Sequence, residues 1–505
     1  MHKRSFLDNL QWLVVVCVLF ALFRGKGSHA VFVLIVALIP ILRFAFSDAY
    51  RKAVKTRFRA CWDELTYFSQ KQLPFVPFKS AFMLVGLPIL ILSLSNGVNI
   101  SSMDNFPTSL VAASIVLEGN TEISEFPPTP EQTAEKMCTQ QLPMPYYYRC
   151  IGQKLYSAYP AGMLLFAIPF TFVSKIIGTD IRSGYHQWRL AKWTSACVAA
   201  VSMTVFFLLA CLVTQPLPAF LAALCLITGS TMLTIVGQGL WTQGGVMLGF
   251  LMALFCELRQ KEKTNFPLLL ITAVSIAWML SCRLTAGALI IPFGLWVLSR
   301  SWQRGILLPL LSLILIAPLH FYYWKTYSNP MGPQMMMATG LSAQLGRLYW
   351  APFIGILISP VCGLLVYQPW LLMGALSLNA KQRTNRFPKG FSLMLLSAIA
   401  LHLFIFCHWQ EWWSGVYGTR HLTEVIPLLA LLLCPTLAYA WSQKNLKPVL
   451  ISLMILSCTI QCIGLYARGG LWYNDPKIHK DGITEQSKLF DWTDPPFLYP
   501  FLHPR

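Results

Sequence analysis

Charge is scarce in this chain, and acid is the scarcer sign. Of 505 residues, 12% are Asp, Glu, Lys or Arg, and 20 acidic side chains stand against 39 basic ones. With 55% hydrophobic residues and a mean hydropathy of +0.55, too few polar groups remain to cover a soluble globular surface. No glycine-rich phosphate-binding loop occurs, so no nucleotide site is expected. The 14 cysteines fall into no metal-binding spacing. Cys197, Cys211, Cys225, Cys434 and Cys458 lie inside apolar runs, where thiols act as small hydrophobes. Internal repeats and low-complexity stretches are also lacking. The formal charge of +19 is divided among short clusters between apolar runs rather than gathered on one domain. That pattern excludes nucleic acid as the expected partner and suits the loops of a membrane protein.

What the chain has instead is apolar runs, at 11–23, 30–46, 81–97, 160–178, 190–213, 217–236, 241–257, 266–282, 285–299, 304–323, 351–376, 390–408, 422–441 and 446–466. Crossing a bilayer takes roughly 20 apolar residues of helix, so the chain reads as an all-α polytopic transmembrane bundle of about 13 spans. The first run is short for a crossing. Lys3 and Arg4 ahead of Leu13–Phe23 resemble a signal peptide, but no small-residue cleavage site follows, and the segment reads as a retained anchor.

Basic loops stay on the cytoplasmic side. The loops 47–80, 258–265, 377–390 and 442–447 carry such clusters, for example Arg51, Lys52 and Lys55, or Lys381, Arg383 and Arg386. Counting crossings then puts 98–159, 324–350, 409–421 and the tail 467–505 outside. Four full crossings after residue 98 would leave the basic loop 258–265 outside as well, so one of those runs is expected not to cross. The candidate is 160–178, where Pro160 and Pro169 interrupt the hydrogen-bond ladder and Gly162 stands near the start. It reads as a helix lying in the outer interface, which lengthens the outer segment to 98–189. Within that segment Cys138 and Cys150 share one polar loop, where a local disulfide is as open as two free thiols.

Under this topology four features converge on the outer face. Asp104, with Asn105, follows the run Ala81–Leu94, and Glu118, Glu122 and Glu125 come after it. Arg283 stands in the turn SCRLTAG. The loops YSNPMGP and SPVCGLLVYQP form the third feature. The fourth is HWQEWWSGVYGTRH, with Glu411, Trp412, Trp413, Tyr417, Arg420 and His421. Taken singly, each has a plainer reading: a solvated loop acid, arginines snorkelling at helix ends, an aromatic belt, structural histidines. Together they suit one chemistry. Arginines hold the phosphate of a lipid carrier, a carboxylate takes the proton of an attacking hydroxyl or amine, and aromatics stack on sugar rings.

These stretches resemble the C-type (GT-C) integral-membrane glycosyltransferases, the superfamily of protein O-mannosyltransferases and lipid A aminoarabinose transferases. The pieces that carry the resemblance are SMDNFPTSL with LEGN, YPAG, LWTQGG, YSNPMG with SPVCGLLVYQPWLL, and WWSGVYGTRHL, spread from about residue 81 to 445. The resemblance implies a GT-C bundle with juxtamembrane helices in the first outer loop and Asp104 as catalytic base. Where paired acids can stand in that superfamily, this chain has Asp104–Asn105; no cofactor is assigned, a divalent metal being left open. The expected organisation is an N-terminal hairpin and basic loop (1–80), a catalytic core (81–466) and a short outer tail (467–505). The expected function is transfer of a sugar from a polyprenyl-phosphate-linked donor to a glycan, lipid or protein acceptor outside a bacterial cell membrane. Arg283 and Arg420 would bind the donor phosphate, and Glu411, Trp412, Trp413, Tyr417 and His421 would contact sugar or acceptor. A transporter or lipid-sugar flippase is the alternative; it would place charges near the bilayer midplane, often within inverted repeats.

Overall fold

The computed structural model describes residues 56, 76–96, 103–260, 264–334, 350–378, 387–408, 412–413, 415–467, 472–473, 475, 479–480, 483–484 and 486–503. The runs expected at 11–23 and 30–46, most of the expected N-terminal domain and Glu411 lie outside these residues.

The architecture is an all-α bundle of apolar helices. Among the described residues three helices are long and apolar enough to cross a membrane: α5 (Gly184–Val213), α10 (Trp302–Tyr327) and α14 (Leu446–Tyr466). At ~1.5 Å per residue each exceeds the ~30 Å of a hydrocarbon core. They sit differently, since 78% of the apolar window of α5 is buried against 17% for α10 and 22% for α14. Small residues of α5 (Ala196, Ala199, Ala200, Ala210) let neighbours approach, so α5 is the central post, while α10 turns Leu310, Leu313 and Ile314 outward.

Shorter apolar helices fill in around it: α1 (Phe78–Leu94), α6 (Pro216–Gly229), α8 (Phe266–Cys282), α9 (Gly287–Arg300), α12 (Phe391–Cys407) and α13 (Ile426–Ser442), together with α7 (Thr242–Arg259). Helices pair both along the chain, α7 with α8, and across it, α8 with α10, α6 with α13 and α9 with α12.

Two expected runs are not continuous helices. The run 217–236 ends its α-helix at Gly229, passes through a π turn at Met232–Val236, and resumes as α7 only at Thr242. The backbone between is buried, and Trp241 points from it into the bundle. The run 351–376 is helical as α11 (Trp350–Ile358), breaks at Ser359–Gly363, makes one turn at Leu364–Tyr367, and continues as 3-10 helix over Pro369–Leu378. Pro360 and Pro369 lack the amide hydrogens that an uninterrupted helix would use there.

The segment 103–183 folds over one end of the bundle. It holds α2 (Phe106–Glu118), α3 (Ala134–Cys138), a hairpin β1 (Tyr148–Ile151) and β2 (Lys154–Ser157), and α4 (Leu164–Ile176). It has a core of its own, from Leu110, Val111, Ile123, Met137, Tyr147, Tyr148 and Leu155. Cys138 and Cys150 are joined in a disulfide. Helix α4 occupies the run 160–178; its 13 residues span ~20 Å, less than a bilayer core. It packs on α2 and α5 and leaves Leu165, Phe172, Val173 and Ile176 exposed.

Candidate active site

Asp104 stands in a 3-10 turn, Met103–Asn105, that leads into α2. Its Oδ2 accepts a hydrogen bond from Arg420 Nη1 at 2.6 Å, and its Oδ1 accepts one from the Tyr146 hydroxyl at 2.8 Å. Tyr159, from YPAG, donates to the same carboxylate. Burial on its own would raise the Asp104 pKa. The positive charge of Arg420 and the hydrogen bonds from Arg420, Tyr146 and Tyr159 outweigh it and hold the carboxyl below its ordinary value. The acid is therefore ionised.

Arg420 is held from behind. Its guanidinium lies over the Trp241 ring, 4.8 Å from the centroid, and Trp241 belongs to the break between α6 and α7. Thr423 fastens the same loop to that break by donating to the Thr231 hydroxyl at 3.1 Å. An interrupted helix supplies polar backbone and a flat aromatic face where a regular one would present only aliphatic side chains.

One layer deeper lies a second charged group. Arg283 follows the last turn of α8 in extended backbone, and its Nη1 donates to Glu424 Oε1 at 3.2 Å. The Glu424 side chain is wholly buried. His402 of α12 donates from Nε2 to the His421 carbonyl at 2.7 Å, with Glu424 Oε2 3.2 Å away. Phe406 completes the layer: Arg283 stands 5.5 Å from its ring centre, and His421 stacks on it at 4.7 Å. Burial lowers the Arg283 pKa, partly offset by Glu424, and Arg283 is close enough to feel Arg420 and Asp104 as well.

The segment 103–183 is clamped to the Arg283 turn by Gly162. Its amide donates to the Ser281 carbonyl at 3.1 Å, and Trp278 Nε1 donates to its carbonyl at 2.8 Å. A Cβ at Gly162 would strike Cys282, next to Arg283, so this approach needs glycine. The Ala161 amide donates to the Tyr323 hydroxyl at 3.0 Å. YPAG thus carries Tyr159 to Asp104 and locks its own backbone on α8 and α10.

Several buried donors here have no acceptor. Arg420 Nε, Arg283 Nε, Trp241 Nε1 and the Asn105 amide nitrogen lack hydrogen-bond partners among the described residues. Buried donors normally find acceptors, and each one left alone costs about 1–3 kcal/mol. Asn105 Oδ1, an acceptor, is also without a partner among the described residues, so the polar groups at and behind the Asp104 carboxylate are incompletely bonded.

The structure brings together Asp104, Arg283, Arg420 and His421. Trp412 joins them at a small cleft it lines with Thr419, Arg420 and His421. Its indole fits against Gly355 and stands 5.9 Å from Phe490 of the tail; Trp413 meets it edge-on at 6.1 Å. Tyr417 lies elsewhere. It is buried against Tyr367, and its hydroxyl donates to the Ile460 carbonyl at 2.6 Å. Of the loop acids, Glu118 pairs with Arg182, and Glu122 with Lys154 at 2.7 Å.

Sequence reasoning passed over Tyr146, Tyr159, Trp241 and Glu424; His402 makes the structural hydrogen bond expected of it. For Glu424 a signal existed: Glu411 and Glu424 are the only acids between Thr264 and Gly470. An acid kept inside an apolar stretch needs a partner. As for a metal, the donors at Asp104 are one carboxylate faced by an arginine, which does not fit a divalent cation. Among the described residues no three His, Cys, Asp or Glu side chains gather as metal ligands.

No family model matches the chain, and no curated protein matches it. Among solved structures the chain is similar to the crystal structure of ArnT from Cupriavidus metallidurans bound to undecaprenyl phosphate. Identity is 12%, the match covers 78% of this chain and 72% of that one, and the TM-score is 0.43.

Proposed function

We propose that the protein is an integral-membrane glycosyltransferase of the C type. It moves a sugar from a polyprenyl-phosphate-linked donor to a glycan, lipid or protein acceptor on the outer face of a bacterial cell membrane. The observation that carries this reading is the ionised Asp104 beside buried donors that lack acceptors, on Arg283, Arg420, Trp241 and Asn105.

Arginine forks suit a phosphate. The leaving phosphate, attached to the lipid, gains charge as the anomeric C–O bond breaks, and Arg283 and Arg420 stabilise that charge. Asp104 takes the proton from the acceptor hydroxyl or amine as the new bond forms on the opposite face of the sugar, giving inversion. Trp412, Trp413 and His421 line the sugar and acceptor space, with Glu411 on the same loop, while Tyr417 supports that loop from behind.

Asp104 and the phosphate compete for Arg420. Without ligand, Arg420 bonds Asp104 and keeps it a weak base. Arrival of the phosphate draws the guanidinium away, frees Oδ2 and raises the basicity of the carboxylate. Donor binding thereby switches the base on.

The test is mass spectrometry of envelope glycans and glycolipids from a deletion strain complemented with wild type or Asp104→Asn at matched membrane levels. The expected result is a sugar restored by wild type alone. Equal restoration by Asp104→Asn would remove Asp104 as base and put the transporter reading ahead.

A further inference from the structure

The two oxygens of Asp104 face different surroundings. Oδ2 meets Arg420, whose side chain is 14% exposed. Oδ1 meets the hydroxyl of Tyr146, a residue 62% exposed. The buried side is where the donor phosphate would sit, and the open side is where an acceptor arrives.

Tyr146 reaches that oxygen from a covalently closed ring. It lies between Cys138, at the end of α3, and Cys150, in β1, which form the disulfide. Local bonds stiffen the ring. Gln132 donates to the Pro143 carbonyl at 3.1 Å, the Leu142 amide to Lys136 O at 3.2 Å, and the Tyr148 amide to Pro145 O at 3.0 Å. The two tyrosines that follow are anchors: Tyr147 and Tyr148 are buried in the outer core, and the Tyr148 hydroxyl donates to Phe126 O at 2.6 Å. Tyr146 stands edge-on to Tyr147, its ring centre 5.5 Å away. A side chain that exposed has no packing reason for a fixed pose, so the ring and the carboxylate give it one.

We infer that Tyr146 is the acceptor-side positioning residue of Asp104, and that the Cys138–Cys150 disulfide acts on the reaction through it. This rests on the reading of Asp104 as base. Tyr146 donates to Oδ1 and holds the carboxylate in place; the incoming hydroxyl or amine meets the other lone pair of that oxygen, guided by the open face of the ring. The groups that face Asp104 are Arg420, Tyr159 and Tyr146, with Arg283 one layer behind. Only Tyr146 approaches from the water side with so open a ring.

The experiment uses the full chain in lipid nanodiscs and follows carboxyl protonation by pH-difference infrared spectroscopy, with Asp104→Asn identifying the Asp104 signal. Removing one hydrogen bond to the charged form raises a carboxyl pKa, so Tyr146→Phe should move the midpoint up by about half to one pH unit. Cys138→Ala/Cys150→Ala should give a shift of the same sign, and none beyond that of Tyr146→Phe when the two are combined. In the complemented deletion strain Tyr146→Phe should lower the sugar product about three- to ten-fold, a hydrogen bond's worth of transition-state positioning. An unmoved midpoint in Tyr146→Phe, or full product from it where Asp104→Asn gives none, overturns the role of Tyr146. A further shift from the cysteine changes in the Tyr146→Phe background overturns the route through the disulfide. Full product from Asp104→Asn instead sinks the reading of Asp104 as base, and the spectroscopic result stands apart from it.

Discussion

The site has a cover and a floor, and they are held by opposite means. The cover is the segment 103–183. It is built from turns, a short hairpin, a disulfide and a small core, and it presents Asp104, Tyr146 and Tyr159. The floor is the break at Trp241, the α8–α9 turn and the loop 419–425. It presents Arg420 and Arg283, and it is held by charged and polar groups removed from water: Glu424 and His402 have fully buried side chains, and that of Arg283 is 7% exposed. Local covalent and hydrogen-bond fixings let a carboxylate sit near water with little dependence on the bundle. Guanidinium groups in an apolar bundle need a counter-charge, or they do not fold there at all. Changes to the cover should therefore cost reaction and spare stability, while changes to the floor should cost both.

The largest effect expected on the cover is from Asp104→Asn. A general base supplies typically 10²–10⁴ in rate, so sugar output should drop by about that factor, while the melting temperature should fall far less than it does for the floor change that follows. A large drop in melting temperature would erase the contrast. On the floor, Glu424→Leu leaves Arg283 buried without its partner, a change that costs about 3–5 kcal/mol. Thermal unfolding in detergent should show a lower midpoint and a smaller folded fraction. The sharper form is the pair Arg283→Leu/Glu424→Leu, which removes both charges and should be less destabilised than Glu424→Leu alone. If the double change is the worse of the two, the pair is not what the floor depends on.

Arg420 joins cover to floor, and its replacement should show intermediate behaviour. Arg420→Lys keeps the charge but loses the planar stacking on Trp241 and the paired geometry, for about a ten-fold fall in output. The pH dependence belongs to the same contact. Asp104 has a depressed pKa, so the stability from its pairing with Arg420 is present above the ordinary carboxylate value and lost as pH falls through the lower folded value. Melting midpoints of wild type and Asp104→Asn should thus differ at neutral pH and converge as the medium becomes strongly acidic.

Much of the bundle was legible because apolar runs of spanning length have few other uses; within the run 160–178 the helix is Leu164–Ile176. The breaks inside the runs 217–236 and 351–376, at 230–236 and 359–363, were not legible. In a uniformly buried stretch both helix and irregular backbone read as apolar, and only Gly229, Pro360 and Gly363 hint at the interruption. For the site, Asp104, Arg283 and Arg420 stood out as charges at the ends of apolar runs. Their partners did not. Tyr146 and Tyr159 resemble any loop tyrosine, and Trp241 any belt tryptophan. Glu424 sits where a helix N-terminus accepts an acid without further reason. Pairing across 141 residues, as between Arg283 and Glu424, leaves no mark in local spacing.

The smallest effect separates two residues of one loop that the sequence offered alike as sugar contacts. Tyr417 and His421 are four positions apart, yet His421 lines the cleft beside Arg420 and Tyr417 points away from it into the bundle. Tyr417→Phe keeps the ring against Tyr367 and removes only the hydrogen bond to the Ile460 carbonyl of α14. That carbonyl lies within a helix and stays bonded by its own ladder, so the loss should be about 1 kcal/mol of stability. Sugar output at matched membrane level should be unchanged. His421→Ala should do the reverse: it removes a wall of the cleft and the stacking on Phe406, and output should fall several-fold more than stability accounts for. If Tyr417→Phe cuts output at an unchanged folded fraction, the loop turns its other face to the substrate, and the boundary between cover and floor has to be redrawn through α14.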